Sequence, residues 1–243
     1  MSKQVKVFIP CYIDQFYPQT GFNMIKVLEH LGCKVTYNKD QTCCGAFLLN
    51  AGAIDESRDL GIKFLSEFHG KEPIIIPSGG CTGMIRNRYK LLFDTSSYRQ
   101  DYKVTRKRVF EFTEYITDVL KLSAFPNSEY FVNAIYHHGC KSLRECGIDE
   151  GPLHLLKSVK GIKLQEFESK ETCCGFGGAF CAEYKDLSDS LADQKLQEVI
   201  DKNIETVISS DLTCLYHFKR IADAKKMKMK FMHIADVLAE SII

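Results

Sequence analysis

Eight of the chain's eleven cysteines fall into two copies of one pattern. Cys11 is followed by Cys43-Cys44-Gly45 and then Cys81; Cys140 is followed by Cys173-Cys174-Gly175 and then Cys214. Equivalent cysteines are offset by 129, 130, 130 and 133 residues, and near-constant offsets at four positions point to internal duplication. Two sets of four thiols can hold two metal ions or two iron–sulfur clusters. Disulfides are the competing use of so many thiols. A total of eleven cannot pair completely within the chain. Met1–Pro10 lacks the apolar stretch of a signal peptide, which predicts a reducing, cytoplasmic setting. Free cysteine also serves as a small buried hydrophobe. That use suits Cys33, in the turn Leu31–Val35, and also Cys146 and Cys181, but it does not explain two Cys-Cys-Gly steps in register.

Adjacent cysteines cannot comfortably chelate one iron together, but they can hold different irons of a multinuclear cluster. The glycine that follows is expected to remove a Cβ where backbone approaches inorganic sulfide. The second copy, Cys174-Gly175-Phe176-Gly177-Gly178, is richer in glycine and can admit a larger cluster or a partner's surface. A phosphate-cradling loop is the alternative there, but no Walker or dinucleotide fingerprint accompanies it. His217 lies three residues beyond Cys214, on the same face of a helix, and is a candidate additional ligand or proton relay. His138, two residues before Cys140, is another candidate. Arg144, one turn after Cys140, is placed to pair with an anionic cluster or a substrate carboxylate. The alternative for each is an ordinary structural or surface role. Asp14 and Asp211 are expected to cap helices beside the cysteines. No catalytic acid, base or nucleophile stands out.

The elements that must position these residues alternate between strand and helix. Val5–Ile9, Lys34–Tyr37 and Ile74–Ile76 read as strands. Pro18–Leu31, with Phe22, Ile25, Leu28 and Leu31 inward, and Asp55–His69, with Leu60, Phe64, Leu65 and Phe68 inward, read as helices. The second half repeats the order, with strands at 131–136, 162–165 and 205–209 and a long helix over 183–200. Short closing helices are expected at 111–116 and 233–238. This alternation predicts two tandem α/β units with parallel sheets, related by a pseudo-twofold, over residues 1–125 and 126–243, with the boundary near Ala124–Ser128. Every cysteine of the two sets then falls just past the carboxyl end of a strand and at or near the start of a helix. That is the edge at which open α/β sheets bind ligands. Apolar residues are plentiful enough for each half to build its own core, so metal reads as functional rather than as a folding staple. A net charge of +1 with interspersed acids and bases argues against nucleic acid as a partner. No apolar run is long enough to span a bilayer.

The doubled pattern resembles the cysteine-rich CCG domain found in heterodisulfide reductases and in the iron–sulfur subunits of glycolate oxidases. In detail the chain resembles the LutA (YkgE-type) lactate-utilisation proteins over essentially its whole length. The segments that carry the likeness are Pro10–Gln15, Gln41–Gly45 with Asn50–Gly52, Pro77–Met84, Tyr136–Cys140, Leu143-Arg144, Cys173–Gly178 and Ser210–His217. The resemblance implies a cytosolic electron-transfer subunit in L-lactate (2-hydroxy acid) oxidation, with one iron–sulfur cluster per half, of the [4Fe-4S] kind, on the eight repeated cysteines. It also implies a LutB-type ferredoxin-like iron–sulfur protein and a LutC-type protein as partners. One departure stands out. The CCG domains of heterodisulfide reductases have a fifth cysteine three residues after the last of each copy, where this chain has Met84 and His217. That counts against a thiol–disulfide reductase of the same kind. Zinc in one half remains compatible with four thiolates.

Overall fold

Runs that are apolar on both faces take the middle of a parallel sheet, and half-polar runs take its edges. The computed structural model describes residues 3–243 and places the buried runs Ile74–Ile76 and Thr206–Ser209 in the middle of two sheets, although the half-polar run Lys3–Val7 is central as well. In the first half, β1 (Lys3–Val7) and β3 (Ile74–Ile76) are central, and β2 (Cys33–Tyr37) and β4 (Val109–Glu111) are the edges, in the order β2-β1-β3-β4. In the second half, β5 (Glu129–His137) and β7 (Thr206–Ser209) lie between β6 (Lys160–Glu166) and β8 (Lys230–His233), in the order β6-β5-β7-β8. All strand pairings within both sheets are parallel. The fold is therefore the expected pair of similar α/β units. The edge strands β4 and β8 were not anticipated, nor was the helix Glu150–Ser158.

The helix Pro18–His30 presents Thr20, Gly21, Met24, Val27 and Leu28 to the interior and leaves Phe22 66% exposed, contrary to expectation. The small residues explain the rotation. Gly21 lies against the side chain of Ile9, and a Cβ there would already stand 3.4 Å from it. On Ile54–Glu67, Phe64 and Leu65 are buried as expected, and so is Phe68 just beyond its end.

The expectation of two self-sufficient cores is corrected by how the closing helices pack. Ile234–Ser241, which ends the second half, lies on Pro18–His30 of the first. Asp236 accepts hydrogen bonds there from Thr20 Oγ1 at 2.9 Å and Asn23 Nδ2 at 2.8 Å, and Lys26 Nζ donates to the Ala239 carbonyl at 2.8 Å. The reciprocal contact sets Phe112–Glu114, with the wider π-helical turns Tyr115–Val119 that follow it, against Glu150–Ser158 of the second half. The closing helix of each half thus packs on the other half. One apolar cluster runs through Val7, Met24, Ile75 and Phe112 of the first half and Ile135, Leu156, Val207 and Leu238 of the second. A smaller cluster, with Phe8, Phe64, Phe68 and Ile76, belongs to the first half alone. Among the described residues no helix is long and apolar enough to cross a membrane.

Candidate metal centre

Each cysteine is placed by the end of a strand. β1 runs through Phe8–Pro10 to Cys11, which opens the short helix Cys11–Phe16. β3 leads to Ser78, whose Oγ accepts from the backbone N–H of Cys81 and caps the helix Gly79–Gly83. In the second half Cys140 opens the helix Cys140–Cys146, and Asp211 accepts from Thr213 N at 3.0 Å to cap the helix Leu212–Ala224, which carries Cys214. The Cys-Cys-Gly steps lie in the loops after β2 and β6. In the first set, the Sγ atoms of Cys11 and Cys43 are 3.4 Å apart and those of Cys44 and Cys81 are 3.1 Å apart. In the second set, Cys140 and Cys173 are 4.0 Å apart, and Cys174 and Cys214 are 2.8 Å apart. All eleven cysteines are free thiols.

Both sets open on one cleft between the halves, of about 860 Å³ including the space open to solvent. All eight cysteines line it, with Phe47 and Phe176, Lys141 and Asp211. The helices Gly79–Gly83 and Cys140–Cys146 pack at very short range, and Gly80, Cys81, Cys140 and Lys141 at their starts line the cleft. A Cβ on Gly79 would overlap the hydroxyl of Ser142, and Asn87 Nδ2 donates to the Glu145 carbonyl at 2.7 Å beside the crossing.

The glycines of the two Cys-Cys-Gly steps have a role in the fold itself. Gly45 and Gly175 adopt φ of +78° and +90°, a region that disfavours side chains. A Cβ on Gly45 would stand 2.9 Å from Ser57 Oγ, and one on Gly175 would run into the Ser188 carbonyl. These serines are equivalent, 131 residues apart. Ser57 Oγ donates to the Gly45 carbonyl at 3.1 Å and Ser188 Oγ to the Gly175 carbonyl at 2.9 Å. Each loop is thereby clamped to the long helix behind it.

The thiols of each set differ in acidity. Hydrogen bonding from Cys11, then from Cys44 and from the Gly45 N–H, lowers Cys43 to about 3. Hydrogen bonding with Cys140 and Cys174, and from the Gly175 N–H, lowers Cys173 to about 2. Their neighbours Cys11 and Cys140 move up, chiefly because each shares a proton with that thiolate and is partly buried. Cys44 and Cys174 move up for the same reasons. Within each set the first thiol of the Cys-Cys step is thus the most readily deprotonated, which favours metal binding at the cleft.

The other candidates are placed as follows. His217 is buried, with Nε2 at 3.1 Å from Ser188 Oγ and 3.3 Å from the Ser188 carbonyl and Nδ1 at 3.4 Å from the Arg220 guanidinium, so its nitrogens face the loop clamp. His138 turns to Asp149, with Nε2 3.2 Å from Oδ1. Arg144 donates to the Glu171 carbonyl at 2.6 Å on the exposed rim. Asp211 caps a helix as expected, whereas Asp14 is held by its neighbour Gln15, which donates to it at 2.7 Å. Cys33 is buried at the start of β2; Cys146 and Cys181 lie against the carbonyls of Gly79 and Gly178.

The histidine that does approach a cysteine set is His137, which the sequence pattern does not single out. One of its nitrogens and the Sγ atoms of Cys174 and Cys214 all lie within 4.8 Å of one another. The only signal in the sequence is its position at the end of a strand shortly before Cys140. The donor set as a whole suits a thiophilic metal group: soft thiols, one made more acidic in each set, with helix starts around them.

Residues 5–86 and 134–219 each match the profile of the cysteine-rich CCG domain. The chain belongs to that family. Over 97% of its length and 96% of the relative's, it is 31% identical to lactate utilization protein A of Halalkalibacterium halodurans. It is 32% identical to lactate utilization protein A 1 of Bacillus mycoides, over 98% of this chain and 97% of that one. It thus falls with the lactate utilization protein A group within the CCG family. Among solved structures, a hypothetical protein from Helicobacter pylori superposes with a TM-score of 0.62 at 12% identity, covering 99% of this chain and 49% of the other. This chain spans about half the length of that protein, and the likeness is one of fold.

Proposed function

We propose that the chain is an iron–sulfur electron-transfer subunit of a cytoplasmic L-lactate oxidation system, acting with a LutB-type ferredoxin-like protein and a LutC-type protein. The observation that carries the proposal is the gathering of all eight repeated cysteines on one cleft. Cys11, Cys43, Cys44 and Cys81 would hold one group, and Cys140, Cys173, Cys174 and Cys214 the other. An iron–sulfur group held there supplies one-electron chemistry. Cys43 and Cys173 give up their protons most readily, and the N–H groups of Gly45 and Gly175, each 3.4 Å from the sulfur, keep them oriented. Phe47 and Phe176, with ring centroids 6.3 Å apart, screen part of the cleft from water. Lys141 supplies positive charge on the wall, which suits an anionic thiolate-bound group or a carboxylate. The names of the relatives support lactate as the fuel of the system.

Anaerobic purification followed by iron, sulfide and zinc analysis and by electron paramagnetic resonance tests this reading. Iron and sulfide in both sets, with reducible signals, support it. Zinc alone in both sets would replace it with a structural metal protein.

A further inference from the structure

The duplication makes every residue of the second site comparable with a counterpart in the first. The sheets superpose Val7 on Tyr136, since these pair with Ile75 and Ile208 at the same position of β3 and β7. His137 therefore corresponds to Phe8. The equivalent serines Ser57 and Ser188 fix the register of the long helices, so that Lys195 corresponds to Phe64. In the first half these two positions form an apolar pair, with the Phe8 and Phe64 rings 5.2 Å apart and edge to face. In the second half they form a polar pair in an equally buried place, His137 and Lys195 each being 1% exposed.

The polar pair is only half accounted for. Lys195 Nζ donates to the Ser169 carbonyl at 2.8 Å and lies 4.4 Å from the centre of the Phe167 ring. His137 has no hydrogen-bond partner at Nδ1 or at Nε2 among the described residues. Its ring is held between Phe167 and Phe218, with centroids 5.9 and 4.9 Å away. A buried imidazole with both nitrogens unpaired forfeits the hydrogen bonds that water would give it, and that cost is not recovered elsewhere in the fold. Such a group calls for a bound partner. The unpaired nitrogen faces the two most deeply buried thiols of the second set, Cys174 and Cys214, at metal-chelating range. An imidazole nitrogen and two thiolates are a donor set that suits zinc and iron alike. His138 and His217, the other histidines of this region, are engaged elsewhere.

We propose that His137 is a nitrogen ligand of the metal bound by the second cysteine set, so that the first set binds through sulfur alone and the second through sulfur and nitrogen. This rests on reading the cysteine sets as metal sites. The asymmetry also gives the two sets different donor shells, since the second adds a neutral imidazole to its four thiols where the first has only the ring of Phe8.

The test uses the full-length, metal-loaded protein grown with 15N-labelled histidine. Metal-edge X-ray absorption and nitrogen hyperfine coupling are recorded on a variant that keeps only the second set (Cys44→Ser with Cys81→Ser) and on one that keeps only the first (Cys174→Ser with Cys214→Ser). One nitrogen in the shell of the second set, shifted by the label and absent from the first set, is expected. His137→Phe, which installs the first half's own residue, should abolish the nitrogen signal. A sulfur-only shell in the second set overturns the proposal while leaving the iron–sulfur reading intact. A nitrogen signal that survives His137→Phe also overturns it. Zinc bound with one nitrogen supports the ligand and overturns the iron reading for that half. Failure of both sets to take up metal overturns both. The label in the otherwise unaltered second set decides the matter if His137→Phe fails to fold.

Discussion

Neighbouring thiols and one backbone N–H lower the pKa of Cys43 and of Cys173, so each thiol depends on the others of its set. Cys44→Ser or Cys174→Ser is expected to remove the metal of its own set and spare the other, while Cys33→Ser, in a strand away from the cleft, should change neither. Metal analysis of the three purified variants decides this, and full metal in Cys174→Ser would remove that residue from the second set. The eight cysteines were legible in the sequence because their spacing repeats. The purpose of the glycines was not, because a positive φ and a serine 12 or 13 residues downstream leave no local pattern. The same holds for His137, whose meaning emerges only when Phe8 is seen in its place. Glu111 is a third such residue: wholly buried, it caps the helix that begins at Phe112, and burial pushes it up to about 7. The unfolded chain releases this proton near the usual carboxylate value of about 4.3. The native state therefore binds more protons across the interval, and its stability falls as pH rises from about 4 to 7, by roughly 3 kcal/mol in total. Denaturant titrations of Glu111→Gln should lack this component; an identical pH profile in both proteins would remove Glu111 as its source.

At the scale of elements, the central strands and long helices were readable because Ile74–Ile76 is apolar on both faces and Phe64, Leu65 and Phe68 repeat with helical period. The edge strands β4 and β8 were not, since Val109-Phe110-Glu111 and Lys230–His233 are short and mixed and acquire their conformation from β3 and β7. Phe22 misled because the face of its helix is chosen by Thr20 and Gly21, small residues that let the helix approach Ile9. The crossing of Gly79–Gly83 with Cys140–Cys146 was likewise invisible, although it joins the two cysteine sets. Gly79→Ala forces a methyl group into the Ser142 hydroxyl. Overpacking of this kind costs about 1–3 kcal/mol. The expected result is a lower denaturation midpoint together with weaker metal retention in both sets. Gly52→Ala, at a glycine with nothing within 4 Å but a φ of +82°, serves as the control for backbone strain alone. Equal behaviour of the two variants would show that the helix crossing is not what holds the sets together.

At the scale of the molecule, the shared core and the exchanged closing helices mean that one half alone would expose Leu238 or Phe112 and lose the partner of Asp236. A single cooperative unfolding transition is expected for the whole chain. The same architecture turns both cysteine sets toward one cleft rather than toward separate docking faces, so whatever enters the cleft meets both. On the proposed reading, lactate oxidation removes two electrons and iron–sulfur chemistry moves them singly, so a partner is expected to take up the substrate and divide the pair. Lactate-dependent reduction of an artificial acceptor is therefore expected only when LutB-type and LutC-type proteins are added to the metal-loaded chain, and Cys174→Ser should abolish it in that mixture. Robust turnover by the purified chain alone would move substrate binding into the cleft itself, and Lys141→Ala, which removes positive charge from the cleft wall, should then raise KM for lactate at unchanged metal content.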